Sequence, residues 1–140
     1  MANGQWRGIP EPRLPSQDQP LRFSFKHLHL EHEKFNVRDC DQEFILAFIR
    51  AIREFSTWTI ESFTYQKNNF HRHSFDFANS SEPDGFLSAP HIDAEQLGSH
   101  EAWQYAVPCE RSDVRGRVHG ILIDDTFYVV WLDPLHKLFG

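Results

Sequence analysis

The fold is decided by residues 115–140, RGRVHGILIDDTFYVVWLDPLHKLFG. Val118, Ile121 and Ile123 precede Asp124-Asp125, and Phe127, Val129, Val130, Trp131 and Leu132 follow it. Two β-branched and aromatic runs joined by a two-residue acidic turn read as an antiparallel hairpin. Asp133-Pro134 should close it. The residue before a proline is pushed toward extended backbone, and proline then fixes the next φ, so the chain must turn there. The Asp133 carboxylate is placed to accept from a nearby backbone N–H or from His136. Polar residues crowd this hairpin and its tail: Arg117, His119, Asp133, His136 and Lys137.

Upstream, period-two alternation marks three more strands. Residues 21–28 carry Leu21, Phe23 and Phe25 on one face and Arg22, Ser24 and Lys26 on the other. Residues 71–77 carry Phe75 and Phe77, and residues 101–107 carry Trp103, Tyr105 and Val107. Between the first two of these, residues 39–55 read as a helix. Asp39 is placed to cap it with Gln42 three residues on, and Phe44, Ile45, Phe48, Ile49, Ile52 and Phe55 form a wide apolar stripe. Thr57 is expected to cap a second, shorter helix ending near Tyr65. Residues 79–90 read as a loop, and 93–98 as a helical turn stopped by Gly98.

The order is therefore strand, helix, helix, then four strands. That order predicts an α+β fold: a mainly antiparallel, twisted sheet packed against two helices of the N-terminal half. At 140 residues the chain suits one domain, 21–140, preceded by an irregular arm, 1–20, that holds Pro10, Pro12, Pro15 and Pro20. The expected core is Phe23, Phe25, Phe44, Phe48, Ile52, Phe55, Phe75, Trp103, Val129 and Trp131, each contributing roughly 1.5–3 kcal/mol on burial.

Composition narrows the function. A formal net charge of −6 argues against gripping nucleic acid through bulk electrostatics. The charge is uneven: no Lys or Arg occurs from His73 to Glu110, whereas Arg111, Arg115, Arg117 and Lys137 restore positive charge locally. Cys40 and Cys109 form neither a disulfide framework nor a CxxC pair and read as buried thiols of a cytoplasmic protein. No apolar leader or membrane-length run is present, so no membrane partner is expected. The sequence has no phosphate-binding glycine loop, GxSxG elbow or HExxH pair.

Two constellations remain. The nine histidines include His27/His29 and His71/His73, spaced to share one strand face, but no Cys or Glu completes a zinc pattern, and neither a metal nor a cofactor is expected. The second is Arg117, His119, His136 and Lys137. Metal-independent RNA cleavage needs a base for the 2′-hydroxyl, a cation for the phosphorane charge and an acid for the leaving oxygen. Histidine suits the proton transfers, and Arg and Lys suit the phosphate. Neighbouring strand aromatics (Trp103, Tyr105, Phe127, Tyr128 and Trp131) suit base stacking or, more simply, a core.

The element order, with GRVHGILIDDTFYVVWLDPLHKLF, resembles the RelE/YoeB/ParE superfamily of small toxins from bacterial toxin–antitoxin pairs. In that superfamily an Arg-bearing strand turns at a short acidic loop into a β-branched strand, with His and aromatic residues near the C-terminus. The resemblance implies a ribonuclease, acting on RNA or on the ribosome and neutralised by an antitoxin. Arg117 would bind phosphate, His119 or His136 would be the acid or base, and Lys137 a supporting cation. Against that pattern, this chain is longer and acidic, its terminal aromatic is Phe139 where such ribonucleases often have Tyr, and the acidic loop 76–101 has no counterpart. The competing expectation is a non-catalytic acidic binding or accessory protein of a bacterial defence or phage-interaction system.

Overall fold

The computed structural model describes residues 19–65, 69–89, 92, 100–107 and 116–139. Its elements run β1 (Arg22–Ser24), α1 (Gln42–Phe55), α2 (Ile60–Tyr65), β2 (His73–Phe75), β3 (Ala102–Val107), β4 (Gly116–Ile123) and β5 (Thr126–Asp133), giving the expected α+β order. The strands form one five-stranded sheet in the order β1-β5-β4-β3-β2. All neighbours are antiparallel except β1, which lies parallel to β5. Arm residues 1–18, the turn at 93–98 and Cys109 lie outside the described residues.

Local chemistry explains the helix limits. Asp41, not Asp39, caps α1: its Oδ1 accepts from the Phe44 N–H at 2.8 Å. Asp39 is taken up in a 3-10 turn, Val37–Asp39, that Asn36 caps by accepting from the Asp39 N–H at 3.2 Å. The Ser56 and Thr57 hydroxyls finish α1 by donating to the carbonyls of Ile52 and Glu54. Thr59 therefore starts α2, accepting from the Ser62 N–H at 3.1 Å.

The helices cover one face of the sheet. Phe55 is the hub of that core, with the rings of Phe70, Tyr105, Trp58, Phe63 and Phe23 between 4.7 and 6.2 Å from its own. The other face is covered by loops and the C-terminal tail. Phe35, Phe86, Val130, Trp131 and Leu138 are buried there, with Phe75 and Phe77 packed against them.

A bulge determines which residues reach this second face. His119 pairs with Trp131, but Gly120 pairs with Val129, leaving Val130 as the extra residue of β5. Val129 and Leu132 belong to the helix-side core, whereas Val130 and Trp131 both join the loop-side core. One inserted residue thus reverses the parity of the strand end. Gly120 permits the close approach: a Cβ there would lie 2.2 Å from the Tyr128 carbonyl oxygen and 2.5 Å from the Phe127 ring.

One member of the expected core lies elsewhere. Phe25 is 51% exposed. The strand ends at Ser24 and the chain turns, with the Leu28 N–H donating to the Phe25 carbonyl, so the alternation that would bury Phe25 stops one residue too early. Phe23, Ile52, Phe75 and Trp103 are half-buried, and the rest of the set is buried.

Candidate functional site

On β4, Val118 faces the helices, so Arg117 and His119 project from the opposite face. Arg117 stands across from Asp133 in register. The bulge brings the Asp133 side chain onto the same face, where its Oδ2 lies 3.1 Å from His119 Nε2. Both side chains are essentially out of solvent. The rings of Phe75, Phe35 and Trp131 surround the imidazole at 5.6, 6.1 and 6.5 Å.

Asp133 also holds the tail. Its Oδ1 accepts from the Lys137 N–H at 2.7 Å and its Oδ2 from the Leu138 N–H at 3.0 Å. β5 ends at Asp133 as the Asp-Pro step requires, and His136 adopts a left-handed φ of 54° as the chain reverses. Leu138 is buried in the loop-side core, and Ser81 fastens this segment through the Lys137 and Leu138 carbonyls. The tail is therefore fixed at both ends of its turn. His136 and Arg117 are half-buried and Lys137 is exposed.

The electrostatics follow from burial. Burial pushes His119 below the usual imidazole range, and Arg117 and His136 add to that against the opposing pull of Asp133. Burial pushes the Asp133 carboxyl upward, but the hydrogen bonds from His119, Lys137 and Leu138 outweigh it and hold the group below its ordinary value. The pair is thus a neutral imidazole, protonated on Nε2, beside a carboxylate. His136 is also lowered, by burial and then by Arg117, with Asp133 opposing. These mutual effects place Arg117, His136 and Asp133 within one electrostatic neighbourhood. Burial, then Asp39, Asp41 and Asp133, push the Cys40 thiol up to about 11, so it is no nucleophile.

Of the four residues singled out in the sequence, the structure brings Arg117 and His136 near one another at the end of the hairpin, with exposed Lys137 next in the chain. His119 lies beneath that surface, where no macromolecular substrate reaches it. Asp133 was legible as the residue that ends the strand; its bond to His119 was not, because that depends on the bulge.

The histidine pairs do not share strand faces. β1 ends before His27, which is buried against Tyr128, and His71 lies in a 3-10 turn with a φ of 47° ahead of β2. Among the described residues, no group of three or more His, Cys, Asp or Glu side chains is arranged to hold a metal ion. No helix among them is long and apolar enough to cross a membrane.

A second feature opens farther along the loop-side face. A cavity of about 570 Å³ is walled by Phe75, Phe77 and Phe86, with Asp76, Asp84 and Glu101 at its edge.

No protein-family model matches this chain, and no curated protein or solved structure matches it either.

Proposed function

We propose that the chain is a RelE-like toxin that cleaves RNA without a metal, possessing an anion site made by Arg117, His136 and Lys137. The observation that carries this reading is the convergence of Arg117 and His136 around Asp133 at the open end of the β4–β5 hairpin. The order of strand, two helices and four strands agrees with the resemblance noted in the sequence.

In this reading the Arg117 guanidinium holds the scissile phosphate and offsets the charge of the phosphorane-like transition state. His136, kept neutral by burial and by Arg117, takes the 2′-hydroxyl proton. The 2′-oxygen attacks phosphorus, the bond to the 5′-oxygen breaks, and solvent protonates the leaving oxygen. Lys137 adds a mobile cation at the exposed rim. His119 orients the assembly through Asp133 and does not touch RNA. An antitoxin would neutralise the protein by covering this end of the hairpin.

Expression of the chain in bacteria tests the reading. Growth should stop, purified protein should cut RNA alone or on ribosomes in the presence of chelator, and Arg117→Ala or His136→Ala should each restore growth. Harmless expression of the parent chain would overturn it.

One observation favours the non-catalytic alternative. Asp76, Asp84 and Glu101 edge the aromatic cavity within a stretch that lacks Lys and Arg. Such a surface complements a basic protein partner. Recovery of that partner from lysate by the parent chain, with loss in Asp84→Lys, would favour it.

A further inference from the structure

The cavity on the loop-side face has a floor, walls and a rim of different chemistry. Its floor is sheet: Ala102 of β3 and Ile121 of β4, which stand opposite each other in register. Phe75 of β2 lies opposite Ala102 and carries that row into the wall, which Phe77 and Phe86 complete. The Phe77 ring lies 4.9 Å from each of the other two and nearly perpendicular to both, at 73° to Phe75 and 78° to Phe86. Rings set at such angles form the sides of a box, in which a guest meets aromatic surface on more than one side.

The walls are fixed before any guest arrives. Phe86 is buried, with its ring centroid 4.8 Å from that of Trp131. Gly85 takes a φ of 64° and closes a turn by donating its N–H to the Glu82 carbonyl. A Cβ at Gly85 would lie 2.7 Å from the Phe77 ring, so the loop comes down on that ring more closely than any other residue would allow. Phe75 and Phe77 stay half-buried, with ring surface left toward the cavity. The volume of about 570 Å³ falls within the range of roughly 300–1,000 Å³ common to small-molecule sites.

The fixed charge around it has one sign. Asp76, Asp84 and Glu101 line the cavity and are exposed, and no Lys or Arg is among the described residues that line it. Of those lining residues, only His100 could add positive charge. Asp84 precedes the 3-10 turn Gly85–Ser88 without capping it, so its carboxylate is not spent on that turn. Lys34 is committed to Glu82 and to the Ser81 carbonyl. Aromatic faces carry the negative side of the ring quadrupole, so walls and rim favour the same kind of guest. Leu87, 62% exposed at the same cavity, offers an apolar contact beside them.

We propose that this cavity binds a small organic cation, an alkylated ammonium group seated among the three rings with an apolar body against Leu87 and Ile121. An alkylated ammonium gives up little hydration on entering, and the ring faces replace it. The rim carboxylates select the charge, and the aromatic box selects an organic cation over a compact metal ion. None of Arg117, His136 and Lys137 lines the cavity, and the proposal stands whether or not the protein cleaves RNA.

Proton NMR of benzyltrimethylammonium titrated with the full chain tests this. Its N-methyl signal should move upfield on binding, because methyl groups over ring faces are shielded by the ring current. The neutral alcohol 2-methyl-1-phenylpropan-2-ol has nearly the same shape and should bind about tenfold more weakly. The anion 3-phenylpropionate should not bind. Asp84→Asn combined with Glu101→Gln, both at exposed positions, should weaken the cation about threefold to fivefold and leave the alcohol unchanged. Phe77→Leu should shrink the upfield shift and weaken the cation about tenfold. Should Phe77→Leu not fold, the paired acid substitutions still decide. Equal binding of cation and alcohol, no upfield shift in the parent, or parental cation affinity in either variant would each overturn the proposal. Capture of a polyarginine peptide with no binding of benzyltrimethylammonium would assign the surface to a basic protein and overturn it as well.

Discussion

His119 Nε2 lies 3.1 Å from Asp133 Oδ2 on the loop-side face of the sheet, and the same carboxylate receives the N–H groups of Lys137 and Leu138. One buried side chain thereby ties β4, β5 and the C-terminal tail together. Asp133→Ala should cost about 3–5 kcal/mol, because it strands three donors at once, those of His119 and Leu138 buried. Asp133→Asn should cost less but still release the tail, since its amide cannot accept all three N–H groups. Urea unfolding gives the stability. Hydrogen exchange at the Lys137 and Leu138 amides gives the release, which should be far faster in both variants than in the parent. Unchanged exchange in Asp133→Ala would show that Ser81 and Leu138 alone hold the tail.

Stability should fall on mild acidification, and the sign follows from the folded-state shifts. Burial lowers His119, and it also lowers His29, His32 and His136, from the ordinary value of 6.5. Below that value the unfolded chain binds protons that the folded chain refuses. Stability is thus fully present above about pH 6.5 and declines as the pH falls from there toward the folded values. Asp133 adds a separate loss only below its ordinary 3.8, because its folded value is lower still. The melting temperature should therefore drop between about pH 7 and pH 5. The slope should be shallower in His119→Gln, which keeps an N–H for Asp133 but cannot titrate. An equal slope in that variant would show that His119 is not a source of the effect.

The ring cluster on the helix side gives a sharper contrast. Phe55 is fully buried and meets the rings of Phe23, Trp58, Phe63, Phe70 and Tyr105. Phe55→Ala should cost about 3–5 kcal/mol. Phe25, half in solvent with an edge contact to Phe48, should tolerate Ser within about 0.5 kcal/mol. Chemical denaturation of the two variants side by side checks both values.

That pair also shows where the sequence stops being readable. The elements α1, β3 and β4 were legible from their apolar period and β5 from its run of β-branched and aromatic residues, whereas the β5 bulge that breaks its period was not. Phe25 was misplaced because a strand's pattern does not announce where its hydrogen bonds end. Asp39 and Asp41 both satisfy a capping pattern, and only the Asn36 turn decides between them. Of the candidate residues, the placement of His136 back toward Arg117 was legible from the Asp133-Pro134 turn. The burial of His119 was not, because the cover over that face comes from loops around Phe35 and Phe86 that have no periodic signal. Nor was the parallel placement of β1 beside β5, which depends on contacts such as the Arg22 N–H to the Asp125 carbonyl at 2.8 Å.

Gly120 should be among the least replaceable residues. A Cβ there meets the Tyr128 carbonyl and the Phe127 ring at distances that real contacts do not reach, and neither the strand backbone nor a fully buried ring can retreat. Gly120→Ala should cost about 1–3 kcal/mol or more through overpacking. Beyond that, straightening the bulge would swing Trp131 out of the loop-side core. Near-ultraviolet circular dichroism should change along with the melting temperature. A variant with the parent's spectrum and stability would mean the bulge adjusts freely.

The proposed anion site predicts a salt signature that separates its residues. In the proposed reading Arg117 and Lys137 bind RNA through its phosphates rather than its bases. Replacing Lys137 with Gln should weaken single-stranded RNA binding about uniformly across sequences and lower the slope of log affinity against log salt by about 0.7. Arg117→Gln should do the same, and more strongly, because the guanidinium presents a rigid fork to a phosphate. His136→Gln should leave the slope unchanged near neutral pH, since burial and Arg117 keep that ring neutral in the fold. It should abolish cleavage while binding persists. Fluorescence anisotropy with a labelled oligonucleotide across a salt series measures all three variants. Equal slopes in the parent, Arg117→Gln and Lys137→Gln would show that RNA does not meet the protein at this end of the hairpin, and the ribonuclease reading would fall with it.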